Sequence, residues 1–548
     1  MEGPNPLSSK EKLNLFLPLL LAVALAGGTW LGLSLGQKEN HTHYVVGKVD
    51  EILKFVDARY LEQKDQKALE DIAIKSVLDE LDPHSNYISL KNIENVNESL
   101  SGNFEGIGIE FFILEDTIYV VGVIEDGPSD QAGVQNGDKI ISIDDSLVAG
   151  KNIYNNKVID QLKGPAGSLV NIKVKRQGSA SLKSLDITRG QIPMYSLDVA
   201  FMANETTAIV KINRFSGTTF REFMIAVQDL VEQQNMQHLI LDLRNNPGGY
   251  LDAATRILDQ VFSSRQLLVY TEGRNYRRKE YKSTGKNRFD IGKVVILINE
   301  NSASASEIMA GAIQDNDRGL IIGRRSFGKG LVQEQYTLSD GSALRLTVAR
   351  YFTPSGRYIQ KPYDGSEGDY NDDMIHRLES GEFYNQDSIH YSDSTVYTTT
   401  SGRVVYGGGG IVPDIFIPID SNRLNTSFIL VNRNLRRFIY KNIFYRKSEI
   451  LQQYPDFESF YASYKITDRS IDELIDFTAD AESVKIDTKI ERFRSELKNK
   501  MKAQIADQLY SDEGMYRILF DQDAMIQKAL EEISRGKNKE KPAALSKN

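Results

Sequence analysis

The sequence predicts a multidomain α/β protein, and three patterns carry that prediction. Between residues 195 and 360, apolar runs of strand length alternate with helical patterns. From about 100 to 190 there are short strands separated by glycine turns, and from 425 onward helical periodicity dominates. The chain has 548 residues, which at ~150 residues per domain suggests three or four domains. A net charge of −9 and a pI near 5.5 argue against binding to nucleic acid, which favours a basic face. The absence of cysteine removes disulfides, thiolate metal sites and cysteine nucleophiles together. Six scattered histidines suggest no multi-histidine metal centre, so hydrolytic chemistry here would have to run without histidine.

Residues 1–12 carry Lys10 and Lys12 and precede Leu13–Gly36, a run of 24 residues without a charge. Spanning a bilayer takes ~20 such residues, so this run is expected to be a membrane anchor. The flanking lysines place residues 1–12 in the cytoplasm and the rest outside. Ala24-Leu25-Ala26 also fits a signal-peptide cleavage pattern, but the apolar run continues well beyond it. Residues 44–95 read as an N-terminal helical region, with Val49, Ile52, Leu53, Val56 and later Leu69, Ile72, Val77 and Leu81 at helical spacing. It is interrupted at Asp82-Pro83-His84-Ser85, because proline biases its predecessor away from helix.

Gly106–Phe112, Thr117–Ile124, Asp138–Asp145 and Ser168–Arg176 read as strands, with a helix at Lys157–Leu162. The FxGIG start, EDGPSDQAGVQNGDKIISIDD and the GPAGS turn resemble a PDZ domain, here residues 96–190. That resemblance implies a carboxylate-binding loop at Gly106, Ile107, Gly108 and Ile109. Successive N–H groups in a glycine turn form an anion nest, and a neighbouring strand edge accepts a peptide by β-augmentation.

Across 195–420 the strands are Thr206–Phe215, His238–Arg244 and Lys293–Glu300. Helices are expected at Phe220–Gln233, Leu251–Phe262 and Ala305–Gln314. Residues 361–402 are polar and read as a long loop or partly ordered insertion. Residues 421–534 read as a helical region, with Ile490, Phe493, Leu497, Met501, Ile505 and Leu509 on one apolar face. That face is expected to be buried, either within the chain or in a homodimer. The charged tail 535–548 reads as disordered.

Three segments are candidates for chemistry. In KVVILINENSASASEIMAGAIQDND a buried strand meets a helix at a polar turn, and Ser304-Ala305-Ser306-Glu307 has capping-box spacing. A serine there lies beside free backbone N–H groups able to hold an oxyanion, but Ser302, Ser304 and Ser306 serve equally well as caps. In RRSFGKGLVQ, Lys329 stands between two glycines, and Gln333 follows four residues later. A lysine base must be neutral near pH 7, against an ordinary pKa of ~10.4, and burial can supply that drop. Gln333 is suited to fix it without adding a charge. In DLRNNPGGYLD a strand ends in a glycine turn at the carboxyl edge of the sheet, where open α/β folds bind ligands, and Gly248 or Gly249 is a candidate oxyanion donor beside Ala305.

Together with LDPHSNYI, INRFS, DGSALRLTVARYFTPSGRYIQ and GGGGIVPDI, these segments resemble the C-terminal processing peptidases, or tail-specific proteases. The resemblance covers roughly residues 44 to 420. It implies a crotonase-like ββα superhelix with an inserted PDZ domain, Ser304 as nucleophile, Lys329 as general base and Gln333 orienting the lysine. It further implies an oxyanion hole at Gly248 and Ala305, and no metal or cofactor. Asn301, before Ser302, replaces a glycine common in the family. The expected partners are protein substrates, captured by their C-terminal tails, and the membrane. The expected location is a bacterial inner membrane, with the catalytic region in the periplasm. Two other classes remain open at this level: a non-catalytic PDZ scaffold, and an acyl-CoA enzyme of the related fold.

Overall fold

The computed structural model describes residues 47–363, 367–391, 395–420 and 425–535, with isolated positions 22, 27 and 28. The expected anchor Leu13–Gly36 falls almost entirely outside the described residues, as does the tail beyond Arg535. Among the described residues, no helix is long and apolar enough to cross a membrane. The helical periodicity near the start gives α1 (Lys48–Arg59) and α2 (Gln66–Asp79).

After the Asp82-Pro83 turn the expected all-helical reading fails at β1 (Asn86–Ile88), which pairs antiparallel with a strand more than two hundred residues later. Three residues are too few to show a period, and the strand forms because a partner edge waits for it. Then α3 (Leu90–Ser101) crosses the boundary expected between the helical and PDZ regions.

Next come β2 (Asn103–Gly106), β3 (Ile109–Leu114) and β4 (Thr117–Val123). They are followed by α4 (Pro128–Gln131), β5 (Lys139–Ile143) and β6 (Ser146–Leu147). The region ends with α5 (Asn155–Leu162), β7 (Leu169–Lys175), β8 (Lys183–Thr188) and β9 (Gly190–Pro193). The sheet runs β3-β4-β5-β7-β8, with β3 at an edge and β6 on β5. Alternating residues of β7 (Val170, Ile172, Val174) meet Ile118, Val120 and Ile140 and the α5 side chains Val158 and Leu162 in one apolar core. Strands β2 and β9 pair with each other where the chain enters and leaves this region.

The larger sheet takes β10 (Leu197–Met202), β11 (Thr207–Ile212) and β12 (His238–Asp242), with α6 (Thr219–Glu232) and α7 (Leu251–Asp259) between and after them. A second sheet begins with β13 (Leu267–Glu272) and β14 (Lys279–Lys282). The chain returns through β15 (Val294–Ile298), α8 (Ala305–Asp315) and β16 (Leu320–Gly323). It then adds β17 (Leu331–Thr337) and β18 (Ala343–Phe352) to the second sheet. The larger sheet runs β10-β11-β12-β15-β16 and ends on β21 (Ile415–Phe416), parallel throughout except for β10 on β11. The second sheet runs β1-β18-β13-β14, with β17 also on β18. All five residues of β15 are buried, as a sheet covered on both faces requires.

The polar stretch 361–402 is more ordered than its composition suggests. It contains α9 (Glu367–Glu379) and, with the residues just after it, a hairpin of β19 (Val396–Thr398) and β20 (Val404–Tyr406). Buried charge holds it in place: Glu382 accepts from both Arg325 and Arg377, and Arg377 donates to the carbonyl oxygens of Arg325 and Ser326. A buried, fully bonded ion cluster replaces the aliphatic contacts that compositional reasoning looks for.

From residue 425 the chain forms α10 (Thr426–Asn442), α11 (Lys447–Gln453), α12 (Phe457–Ser463) and α13 (Asp468–Glu482). It ends with α14 (Arg494–Leu509), α15 (Asp512–Phe520) and α16 (Ala524–Ser534). Ile490, Phe493, Leu497, Met501 and Ile505 are buried against Val431, Leu435, Phe438 and Leu474 of this same region. Of the two alternatives for this face, burial within the chain is the one found. Helix α16 covers the second face of the larger sheet. Met525, Ile526, Ala529 and Ile533, with Phe520, pack on Val199, Phe201, Ile209, Ile240, Val295, Leu297 and Ile322. The same helical region touches the PDZ region: the Phe112 and Tyr440 rings lie 4.6 Å apart, tilted by 55°, and Lys441 pairs with Glu115 at 2.8 Å.

Candidate active site

Strand β15 delivers the chain into the turn Asn299–Ser304. There, two of the three serines of SASAS are engaged by backbone. The Ser302 hydroxyl donates to the Leu243 carbonyl oxygen at 2.8 Å, and Ser306 donates to that of Asn246 at 3.0 Å. Both side chains are fully buried, whereas Ser304 is half-buried. Ser304 also stands at φ 53° and ψ −113°, a left-handed region that costs a non-glycine residue ~1–3 kcal/mol. It heads α8, and the Ala305 N–H follows at the first helical position, where no intrahelical carbonyl exists to take it.

The Asp242–Tyr250 loop packs beside this turn. Asn246, wholly buried, donates to the Ile212 carbonyl oxygen, and its own carbonyl accepts from Ala303 N–H at 3.0 Å. Gly248 lies so close that a Cβ there would meet Ser304 Cβ and the Ala303 carbonyl oxygen, both at 2.7 Å. Its N–H, expected to be an oxyanion donor, instead donates to Asn246 Oδ1 at 2.8 Å. Asn301 donates to Asn245 Oδ1 at 3.0 Å and so ties the two loops together. Beneath the loop, Arg244 grips Asp242 through two N–H groups. Burial pushes the Asp242 carboxyl up, but Arg244 and Lys211 outweigh it and hold the group below its ordinary range.

Lys329 lies on the segment between β16 and β17. Burial first, and Arg345 second, bring its amine down to about 8 against the pull of Glu307 and Asp82. At pH 7 that leaves ~10% of the amine neutral, far more than an ordinary lysine provides. Gln333, expected to orient it, lies on β17 with its Nε2 donating to Thr347 Oγ1 at 3.4 Å across to β18.

Two residues that sequence patterns did not assign to the site join its halves. Glu307, read only as a helix-capping partner, accepts four donors. Oε2 takes Ser304 N–H (2.9 Å) and Lys329 N–H (2.8 Å), while Oε1 takes the Ser326 hydroxyl (2.5 Å) and Gly328 N–H (2.7 Å). Burial pushes its carboxyl up to about 7 against those donors. The buried Tyr351 hydroxyl reaches the carbonyl oxygens of both Ser304 (3.2 Å) and Lys329. Capping-box spacing pointed to Glu307, but its link to Lys329 spans 22 residues of sequence and leaves no local signal.

The expected peptide-binding loop, Gly106 to Ile109, runs from the end of β2 into the edge strand β3. Gly108 has φ +75°, its carbonyl accepts from Ile124 N–H, and the Ile107 carbonyl accepts from Ser129 N–H.

Glu307 thus joins the backbone of a half-exposed serine at a strained strand-to-helix turn to that of a lysine of depressed basicity, in a chain that also carries an edge-stranded β-domain. Residues 206–371 match peptidase family S41, residues 106–187 match the PDZ domain, and residues 428–512 match a family of unknown function. The carboxy-terminal-processing protease of Bartonella bacilliformis is 35% identical over 326 residues, 59% of this chain and 74% of that protein. The carboxy-terminal processing protease CtpB of Bacillus subtilis is 31% identical over 328 residues, 59% of this chain and 68% of the relative. Among solved structures, the photosystem II D1 C-terminal processing protease is 29% identical over 57% of this chain and 84% of that one, with a TM-score of 0.32. The chain belongs to the carboxy-terminal processing proteases, serine peptidases of family S41 that carry a PDZ domain.

Proposed function

We propose that Ser304 is the nucleophile and Lys329 the general base of this protease, and that the PDZ region captures substrate tails. One observation supports the first assignment most: of the three serines at the turn, only Ser304 is half-exposed, and Glu307 ties its amide to that of Lys329. Neutral Lys329 takes the hydroxyl proton as Ser304 attacks the scissile carbonyl carbon. The Ala305 N–H meets the developing oxyanion, where one donor is typically worth ~3 kcal/mol of barrier. Gly248 joins it once its N–H leaves the Asn246 carboxamide. The protonated lysine then gives its proton to the leaving amine, the acyl-enzyme forms, and water activated by the same lysine releases it.

In this reading the substrate's terminal carboxylate sits on the Gly106–Ile109 amides and its last residues extend β3, an edge strand of the sheet. The uncharged run Leu13–Gly36 anchors the enzyme, with the catalytic region outside the cytoplasm in the bacterial periplasm.

The test uses protein lacking residues 1–40, as wild type, Ser304→Ala and Lys329→Ala, on an unfolded protein with an apolar C-terminus. Wild type alone is expected to cleave, and amidating the substrate's terminal carboxyl is expected to slow it at least tenfold. Cleavage by Ser304→Ala at the wild-type rate would refute the nucleophile, and equal rates on free and amidated tails would refute PDZ capture.

A further inference from the structure

The turn Asp82-Pro83-His84-Ser85 reads at first as simple punctuation. Asp82 makes the usual local bonds of such a turn: Oδ1 accepts from His84 N–H (2.8 Å) and Ser85 N–H (3.0 Å), and Oδ2 from the Ser85 hydroxyl (2.7 Å). It also does something a turn does not need. Oδ1 accepts the Thr347 hydroxyl at 3.0 Å, and Ser85 Oγ accepts Thr347 N–H at 3.1 Å, so Thr347 is held at its hydroxyl and its N–H from 265 and 262 residues away.

Thr347 lies opposite Gln333 across β17 and β18, beside the register shift between Val332 and Gln333. Hydrogen-bond polarity then passes along the chain of groups. An ionised carboxylate only accepts, so the Thr347 hydroxyl proton is committed to Asp82. The Thr347 oxygen is left as an acceptor, and Gln333 meets it with its NH2 group. The end of the carboxamide left to accept a hydrogen bond from an amine is the carbonyl oxygen.

We propose that Asp82 is a positioning residue of the catalytic centre: through the Thr347 hydroxyl it fixes which end of the Gln333 carboxamide is offered to Lys329. The inference rests on the Ser304–Lys329 reading. Asp82 also contributes directly to the charge around Lys329, with Glu307 on the same side of the balance and Arg345 opposing it. His84 in the same turn, bonded to the Tyr370 hydroxyl, is held down to about 4 by burial and by Lys329, so it adds no charge near neutral pH.

The experiment compares Thr347→Val, Thr347→Ser, Asp82→Asn and Gln333→Ala, and Thr347→Val combined with Gln333→Ala. Each is assayed on an internally quenched peptide with a free apolar C-terminus, beside Ser304→Ala. Thr347→Val keeps the Asp82 charge and removes the relay. It is expected to lower kcat about tenfold with KM within twofold, and Thr347→Ser to restore it to within threefold. Added to Gln333→Ala, Thr347→Val should have no further effect, because the group it acts through is already gone. Asp82→Asn should lower kcat as well and move the acid limb of the kcat–pH profile to lower pH, a shift Thr347→Val should not show. The proposal is overturned if Thr347→Val stays within twofold of wild type, or if its effect multiplies undiminished in the Gln333→Ala background. A Ser304→Ala protein that still cleaves would instead bring down the parent reading.

Discussion

At Ser304 the protein tolerates a strained backbone, and the surrounding bonds explain why it persists. Glu307, Tyr351 and the Asn246 loop hold the residues on either side, so relaxing Ser304 would break several buried hydrogen bonds to relieve ~1–3 kcal/mol. Of that cluster, Glu307 also acts on Lys329, pulling its amine up against the burial and the Arg345 charge that bring it down. With its amine near 8, activity should rise with pH through that value as the base loses its proton. The sign of each neighbour follows. Arg345→Met removes a positive charge and should move the acid limb to higher pH. Glu307→Gln removes a negative charge and should move it lower, with a kcat reduced at least tenfold because an NH2 group then faces backbone donors. Profiles of kcat against pH for the two variants check both directions. Ser304 and Lys329 stand out in sequence as candidates because each sits in a short glycine- or serine-rich motif. Glu307 was half legible, as a cap, and the tie between Asp82 and Thr347 was not legible, since the two are far apart along the chain. The sequence also made Gly248 a donor, and the Asn246 side chain that takes its N–H has no periodicity or spacing to reveal it.

The elements that carry the site are joined by close backbone approaches as well as by side chains. Phe215 and Gly249 form an isolated parallel bridge, in which Phe215 N–H donates to the Gly248 carbonyl oxygen and Tyr250 N–H to that of Phe215. Gly249 has φ +139°, and a Cβ there would fall 2.0 Å from the Phe215 carbonyl oxygen. Gly249→Ala should therefore cost about 3 kcal/mol or more and abolish activity, measured by thermal melting and peptide cleavage. A Gly402→Ala control, at a left-handed glycine with open space around it, should lose far less. Five-residue strands with a continuous apolar run, such as β12 and β15, were readable from sequence with ends within a residue or two. The three-residue β1 and the helix α9 were not. The first borrows its stability from the edge of β18, and the second is placed beside a cluster of buried arginines and a glutamate that composition alone takes for solvated charge.

At the level of the whole molecule, the C-terminal helices are structural parts of the protease. Asp523 pairs with Arg244 at 2.6 Å, Tyr516 donates to Asp198 at 2.9 Å, and the Lys293 amine caps the end of α16 through the carbonyl oxygens of Glu532 and Ile533. The large side chains of α16 and Phe520 each stabilise by ~1.5–3 kcal/mol on burial against the sheet. A chain ended at Ser511 should accordingly aggregate, or elute as oligomers on size exclusion with a lowered Tm. Asp523→Asn, which leaves the apolar cover intact, should remain a well-folded species. The sequence announced these helices and an apolar face on α14, but no local pattern says which surface a helix will cover, because that is fixed by strands hundreds of residues earlier.

That arrangement also imposes an order in time. The last strand of the larger sheet ends at Phe416, yet the helix that closes its second face is finished only at Ser534. At ~5–20 residues per second, a ribosome needs on the order of ten seconds to cover that stretch. For that interval the nascent protease has every residue of its candidate catalytic centre and an unsealed flank of valine, isoleucine and phenylalanine. Its maturation clock is therefore set by helix α16.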